Sequence, residues 1–304
     1  MQKTYRMLPA VIALLASAVV RGSDTTGNFE QEVAADAKGT VEISSTSGTI
    51  DVTGSDKAAV SVKAQLGPEV DHVEVKSSGN HTVVHVILKP HGSGIFNWGH
   101  DETHLRVQVP KDSELDVSGV SANVTSSGVL GAQRLRSVSG DVTAETGPND
   151  IEVKSVSGNV KVRGHGQPAR LRLNTVSGDI ELKHAAGELE TSTVSGQVSA
   201  ELDPARAFHA RSTSGDITFE GRLARGADVD AQSVNGDLKV HAASEDGFQY
   251  ELQTLSGDIT DCFDAKAERS GEYGPGHKLD GTRGGGSAHV RLKTMSGDLN
   301  LCDR

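Results

Sequence analysis

The chain has 304 residues, 41 of them acidic and 30 basic, for a formal net charge of −11, and only 3% are aromatic. An acidic surface without basic clusters argues against nucleic acid or anionic lipid as partner and leaves cation binding or plain solubility as its uses. No GxSxG elbow, no phosphate-cradling GxxxxGK, no lone cysteine paired with a histidine and no zinc-type cysteine spacing is present, so the commonest catalytic centres are excluded.

Residues 1–22 read as a signal peptide. Lys3 and Arg6 lead an apolar run from Met7 to Val20, and Ala16-Ser17-Ala18 offers a small-x-small cleavage site, with a cut after Gly22 as the other option. That run has 14 residues and contains Pro9, too short for an ordinary membrane span. Loss of Lys3 and Arg6 takes the charge from −11 to −13. The expectation is an exported protein, periplasmic or else surface-bound or secreted, with no transmembrane segment after signal cleavage.

Residues 23–110 form an N-terminal β region. Val33 to Leu66 gives three strand-like runs around Ser45–Ile50 (STSGTI), and Val73, Val75, then Val83 to Leu88, then Leu105, Val107 and Val109 mark longer strands and a hairpin. This part is expected to cap the first repeat, because an open terminal repeat exposes a pairing edge. Its tip, His91 to Asp101, carries Phe96 and Trp98. The two rings suit a docking site for a glycan, a peptide or a membrane interface, or an apolar plug over the first repeat. His100-Asp101-Glu102-Thr103-His104 is no zinc-protease helix: the Glu falls one place late and His104 opens a strand. His91, His100 and His104 are left with opportunistic metal binding only.

From residue 111 to 304 a hexapeptide dominates: Ser or Thr, an apolar residue or Thr, Ser or Asn, Gly, a short polar residue, then Ile, Val or Leu. Copies start at Ser45, Ser137, Ser155, Thr175, Thr193, Ser212, Ser233, Thr254 and Thr294, with a looser tenth at Asp116–Ser121. From Gly140 the glycines fall at 158, 178, 196, 215, 236 and 257, a period of 18 to 21 residues, the signature of a solenoid. Alternation on either side of the motif, as in Leu171, Leu173, then Ile180, Leu182, marks strands with one buried face. The predicted fold is all-β: a parallel β-solenoid of 18–21-residue coils with an N-terminal β cap.

The residue after each motif glycine forms a column: Asp141, Asn159, Asp179, Gln197, Asp216, Asp237, Asp258 and Asp298. Stacked carboxylates about 5 Å apart repel by roughly 1 kcal/mol in water. Calcium would relieve this, and so would bonds from each Asp to turn amides with dilution by Asn159 and Gln197; those interruptions favour the second. No other cofactor is expected.

The step from Gly257 to Gly297 spans 40 residues, either one repeat with a long insertion or two repeats of which one has lost its motif. Cys262 and Cys302, the only cysteines, each lie five residues after a motif glycine. If those repeats are stacked neighbours, their Cα atoms are about 4.8 Å apart, within disulfide reach. The pairing implies that Phe263 to His289 loops out as an insertion. With Tyr273 and two Gly-rich stretches, it reads as a lid or recognition loop.

The segments GTVEISSTSGTIDVTGSDKAAVSV and LRVQVPKDSELDVSG, with the run of SVSGDV-like repeats, resemble the bacterial family of exported β-strand-repeat proteins conjectured to be adhesins, the domain of unknown function 4097 type. The resemblance spans nearly all of the chain after the signal peptide. It implies a β-solenoid envelope protein and carries over no catalytic residue. The functional reading is a non-enzymatic structural or binding module of the cell envelope that contacts an envelope protein or polysaccharide. The alternatives are a polysaccharide-acting β-helix enzyme, which needs carboxylates clustered at a groove, and an envelope-stress signalling partner.

Overall fold

The computed structural model describes residues 27–90, 103–263, 267–269 and 276–303. All regular structure there is β: 22 strands in one continuously paired sheet. No helix among the described residues is long and apolar enough to cross a membrane. The leader, Phe96, Trp98, His91, His100 and Tyr273 lie outside the described residues.

Parallel pairing follows the hexapeptide period. On one side of the motif Val117, Leu135, Val153, Leu173, Thr191, Ala210 and Ala231 are successive register partners. On the other side Ile50, Val124, Val142, Val160, Ile180, Val198, Ile217 and Leu238 are. Both rows are buried, and all their members but Thr191 belong to one hydrophobic core cluster. The arrangement is β-solenoid-like. Side-chain alternation explains it, since β-branched and small apolar residues at every second position line one face of each strand. Long strands such as Ile180–Thr193 and Ile217–Asn235 bend from one row into the other, which keeps the sheet continuous.

At both ends the order in space departs from the order in sequence. Residues 229–241 pair not with 250–261 but with 290–302, and 250–261 lies beyond that. The chain skips one place, lays down 250–261, runs His277–Gly284 antiparallel along Gly247–Ser256, and returns to fill the gap. Likewise Thr40–Ser55 is held between Glu114–Ser127 and the later strands His81–Leu88 and His104–Pro110. Antiparallel strands lie outermost at each end: 28–34, 59–65 and 70–78 at one, 277–284 at the other.

Cys262 and Cys302 are disulfide-bonded with Cα atoms 5.0 Å apart. The 40-residue step is therefore one repeat plus an insertion. That insertion is no free loop, because its second half is hydrogen-bonded along 247–254. Beside it Phe248, Tyr250 and Phe263 pack ring to ring at 5.8–6.1 Å, with the Arg283 guanidinium 5.1 Å from the Phe263 ring.

One motif copy needs correction. The register sets Ala122 against Gly48, Asn123 against Thr49 and Val124 against Val142, so the tenth corner is Gly119–Val124, three residues later than Asp116–Ser121. Asp116 and Val117 instead continue the strand, where Val117 fills the core between Ile43 and Leu135.

Candidate functional site

The motif builds the corner between the two rows. In three copies the first hydroxyl is buried and accepts the N–H of the motif glycine: Ser137 from Gly140 at 2.9 Å, Ser155 from Gly158 at 2.9 Å, Thr175 from Gly178 at 3.1 Å. The same hydroxyl donates to the corner before it, Ser137 to the Ala122 carbonyl at 3.2 Å and Thr175 to that of Gly158 at 3.4 Å. Thr193 and Ser212 depart from this: their hydroxyls have no partner, and the Gly215 N–H goes to Asn235 O. Glycine is required by proximity. A methyl group on Gly158, Gly178 or Gly196 would overlap the carbonyl oxygen of the previous corner's glycine, while positive φ is confined among the motif glycines to Gly48, Gly257 and Gly297.

With the first hydroxyl held inward, the next side chain is turned out. In spatial order these are Val120, Val138, Val156, Val176, Val194, Thr213, Val234, Met295 and Leu255. The eight apolar ones are 39–53% exposed, whereas most other large apolar residues on the described strands are buried or half-buried. They form an aliphatic ridge along the corner, interrupted at Thr213. Nothing in the sequence marks this position as exposed, because an apolar residue inside an alternating pattern reads as core.

Beside the ridge runs the predicted column. In spatial order it is Asn123, Asp141, Asn159, Asp179, Gln197, Asp216, Asp237, Asp298, Asp258. Seven of these nine side-chain oxygens accept the backbone N–H of the same position one repeat on, among them Asp141 Oδ1 from Asn159 at 2.8 Å, Asp179 from Gln197 at 2.9 Å, and Asp216 from Asp237, Asp237 from Asp298 and Asp298 from Asp258 each at 2.9 Å. Charged acceptors on successive amides stitch the corners together. The last four places are all Asp, with Asp298 standing between Asp237 and Asp258 in space. No metal-holding group of three or more His, Cys, Asp or Glu occurs among the described residues. His104 opens the strand His104–Pro110, and its Nδ1 lies 2.8 Å from Thr49 Oγ1.

A groove of about 680 Å³ lies at the C-terminal end, lined in part by Asp228, Glu251, Asp280, His289 and Arg291. Among the described residues it brings three carboxylates, Asp228, Glu251 and Asp280, to one groove. Burial would lift the Glu251 carboxyl, but Arg291 at 3.2 Å and Lys293 at 3.5 Å outweigh it and hold the group below the usual carboxylate range. A general acid needs the opposite shift. Because the folded state depresses this group, its contribution is complete above the ordinary value of 4.5 and disappears as pH falls through the folded value. The melting temperature of Glu251→Gln should therefore lie below that of the native protein at pH 7, with the difference closing towards pH 3. A gap that persists unchanged at pH 3 would contradict this assignment.

All-β repeats, a shared core and a corner motif with obligatory glycines define the class as an exposed-ridge, solenoid-like repeat protein. The chain matches the Toastrack DUF4097 family over residues 39–302 and belongs to it. No curated protein matches. Among solved structures it is similar to a proposed adhesin from Bacteroides fragilis NCTC 9343 (12% identity, 90% of this chain and 96% of that one, TM-score 0.39). It is also similar to a proposed lipid-binding protein from Parabacteroides distasonis ATCC 8503 (12%, 91% and 97%, TM-score 0.41) and a proposed adhesin from Parabacteroides merdae ATCC 43184 (11%, 91% and 97%, TM-score 0.27). At these values the family assignment rests on the sequence match.

Proposed function

We propose that the protein is a non-catalytic, exported binding module of the cell envelope, adhesin-like in the broad sense, whose recognition face is the corner ridge. The observation that carries this reading is the ridge itself. Eight exposed aliphatic side chains at roughly 70 Å² apiece sum to about 550 Å², at the upper end of the largest patch on a typical soluble monomer, which is often functional. In this reading each repeat is one 18–21-residue coil of a parallel β-solenoid, the registers offset by one repeat supporting it, and the antiparallel strands before residue 110 serve as the N-terminal cap. Export rests on the leader-like residues 1–22, with the periplasm as the expected compartment. The module needs no cofactor, since amides already occupy one oxygen of most column carboxylates.

Thiol labelling tests this in place. A Val156→Cys variant should react with a membrane-impermeant maleimide quickly as dilute purified protein and at least tenfold more slowly in intact cells opened to the periplasm. Equal rates in both settings would mean that nothing covers the ridge and would sink the proposal. The polysaccharide-acting alternative is favoured by the C-terminal groove alone, and release of reducing ends from acidic polysaccharides, abolished by Asp228→Asn or Asp280→Asn, would establish it.

A further inference from the structure

We infer that the occupant of the ridge is a second copy of this chain, in a two-fold dimer whose repeats run in the same direction. The inference rests on the ridge being the binding face. Charge decides both occupant and orientation. Two residues before each ridge position, on the first row's side, stand Arg136, Lys154, Arg211 and Lys293, or neutral side chains, and never an acid. Three residues after, on the second row's side, stand Asp141, Asp179, Asp216, Asp237, Asp298 and Asp258, or neutral side chains, and never a base. The ridge is thus an apolar line with bases along one side, of which Arg136, Lys154 and Lys293 also pair with Asp116, Glu152 and Glu251 behind them, and an anionic margin on the other.

Two such faces meet in two ways. A two-fold axis parallel to the stacking direction sets each repeat against the same repeat of the other copy, and each cationic margin then faces an anionic one. Arg136 stands across from Asp141 of the second copy, Arg211 from Asp216 and Lys293 from Asp298. A two-fold axis perpendicular to stacking runs the copies in opposite directions and sets acid against acid. Only the first is complementary, and complementarity of this kind fixes register and orientation. The anionic margin also repels anionic headgroups, so a phospholipid surface is a poorer match than the protein itself. An apolar strip of about 550 Å² per copy, with polar margins of similar width, reaches the range of about 800 Å² per partner found in stable interfaces. An isologous contact of this type closes at two copies.

The test is sedimentation equilibrium of the full chain, and beside it of the form starting at residue 23, at tens of micromolar. Twice the chain mass is expected. Val156→Asp/Val176→Asp should raise the dissociation constant at least tenfold with the far-ultraviolet circular dichroism unchanged. Should that variant misfold, Val156→Ser/Val176→Ser, milder at exposed positions, should still shift the constant several-fold. Val138→Cys and Val234→Cys, oxidised separately, should each cross-link to themselves, and a mixture should give no Val138→Cys to Val234→Cys product. A monomer at these concentrations, unaltered association in the ridge variants, or the mixed cross-link would overturn the inference. Slow labelling of Val156→Cys in cells combined with a monomer in solution would leave the binding module standing and remove only the second copy.

Discussion

Replacing Gly178 with Ala should destabilise the protein by about 3 kcal/mol or more, a cost at the top of the range for overpacking because backbone must move. The added Cβ would overlap the Gly158 carbonyl and crowd the Asn159 nitrogen, with no flexible side chain to yield. Relief requires the corner to rise off its neighbour. That movement would lengthen the Thr175 to Gly158 bond and the Asp179 to Asn159 bond on one side. On the other it would press against Gly196, which approaches the Gly178 carbonyl just as closely. The matched control is Gly166→Ala, where φ is +71° and no atom lies within 4 Å of the new methyl group. There only backbone strain operates, worth about 1–2 kcal/mol. Denaturant unfolding of both variants decides the matter: if Gly178→Ala is no worse than Gly166→Ala, close approach is not why the motif holds glycine. Against a total stability of about 5–15 kcal/mol, two such corner substitutions should leave little folded protein.

Removing the disulfide should cost about 4 kcal/mol, the chain-entropy value for closing a loop of 40 residues. The loss should be local. Ile259–Asp261 is held by only three register pairs to the strand carrying Cys302. Phe263, one residue beyond Cys262, packs on Phe248 and Tyr250, so the bond also pins the aromatic cluster at the C-terminal end. Cys262→Ser/Cys302→Ser should accelerate amide exchange across 247–303 and leave Leu171 and Leu173 protected. Uniform acceleration would mean that the end and the middle unfold as one unit and that the bond guards the whole molecule.

The repeat architecture was legible because it depends on local rules: alternation gave the strands, the 18-to-21-residue period gave the parallel register, and the equivalent places of Cys262 and Cys302 gave the disulfide. Two features were not. The exposed ridge has core-like residues, and only the inward hydroxyl bonds of Ser137, Ser155 and Thr175 reveal that the next side chain must point out. The shuffled end order was hidden because identical motifs fit any neighbour. Outer-face charge does discriminate. Along one register line the residues read Asp116, Arg134, Glu152, Arg172, Glu190, His209, Asp230, Arg291, Glu251. Arg291 stands between two acids that sequence order would have pressed together. Cross-strand pairs of opposite charge are favourable and like pairs are not, so the order in space is the one the surface prefers.

The interleaved C-terminal end also sets a schedule. In most stacked-repeat proteins each unit contacts only the units before and after it in the chain, so folding can begin at any unit and spread to its neighbours. Here residues 288–302, which follow both of their neighbours in the chain, are a wedge between 229–241 and 250–261. Until that wedge arrives, 229–241 and 250–261 have no partner for the edges they turn toward each other. The C-terminal end can therefore be completed only once residues up to 302 are available to the fold. A chain cut short by even one unit would present two bare strand edges facing an empty slot of one strand's width, the geometry most open to a strand from another molecule.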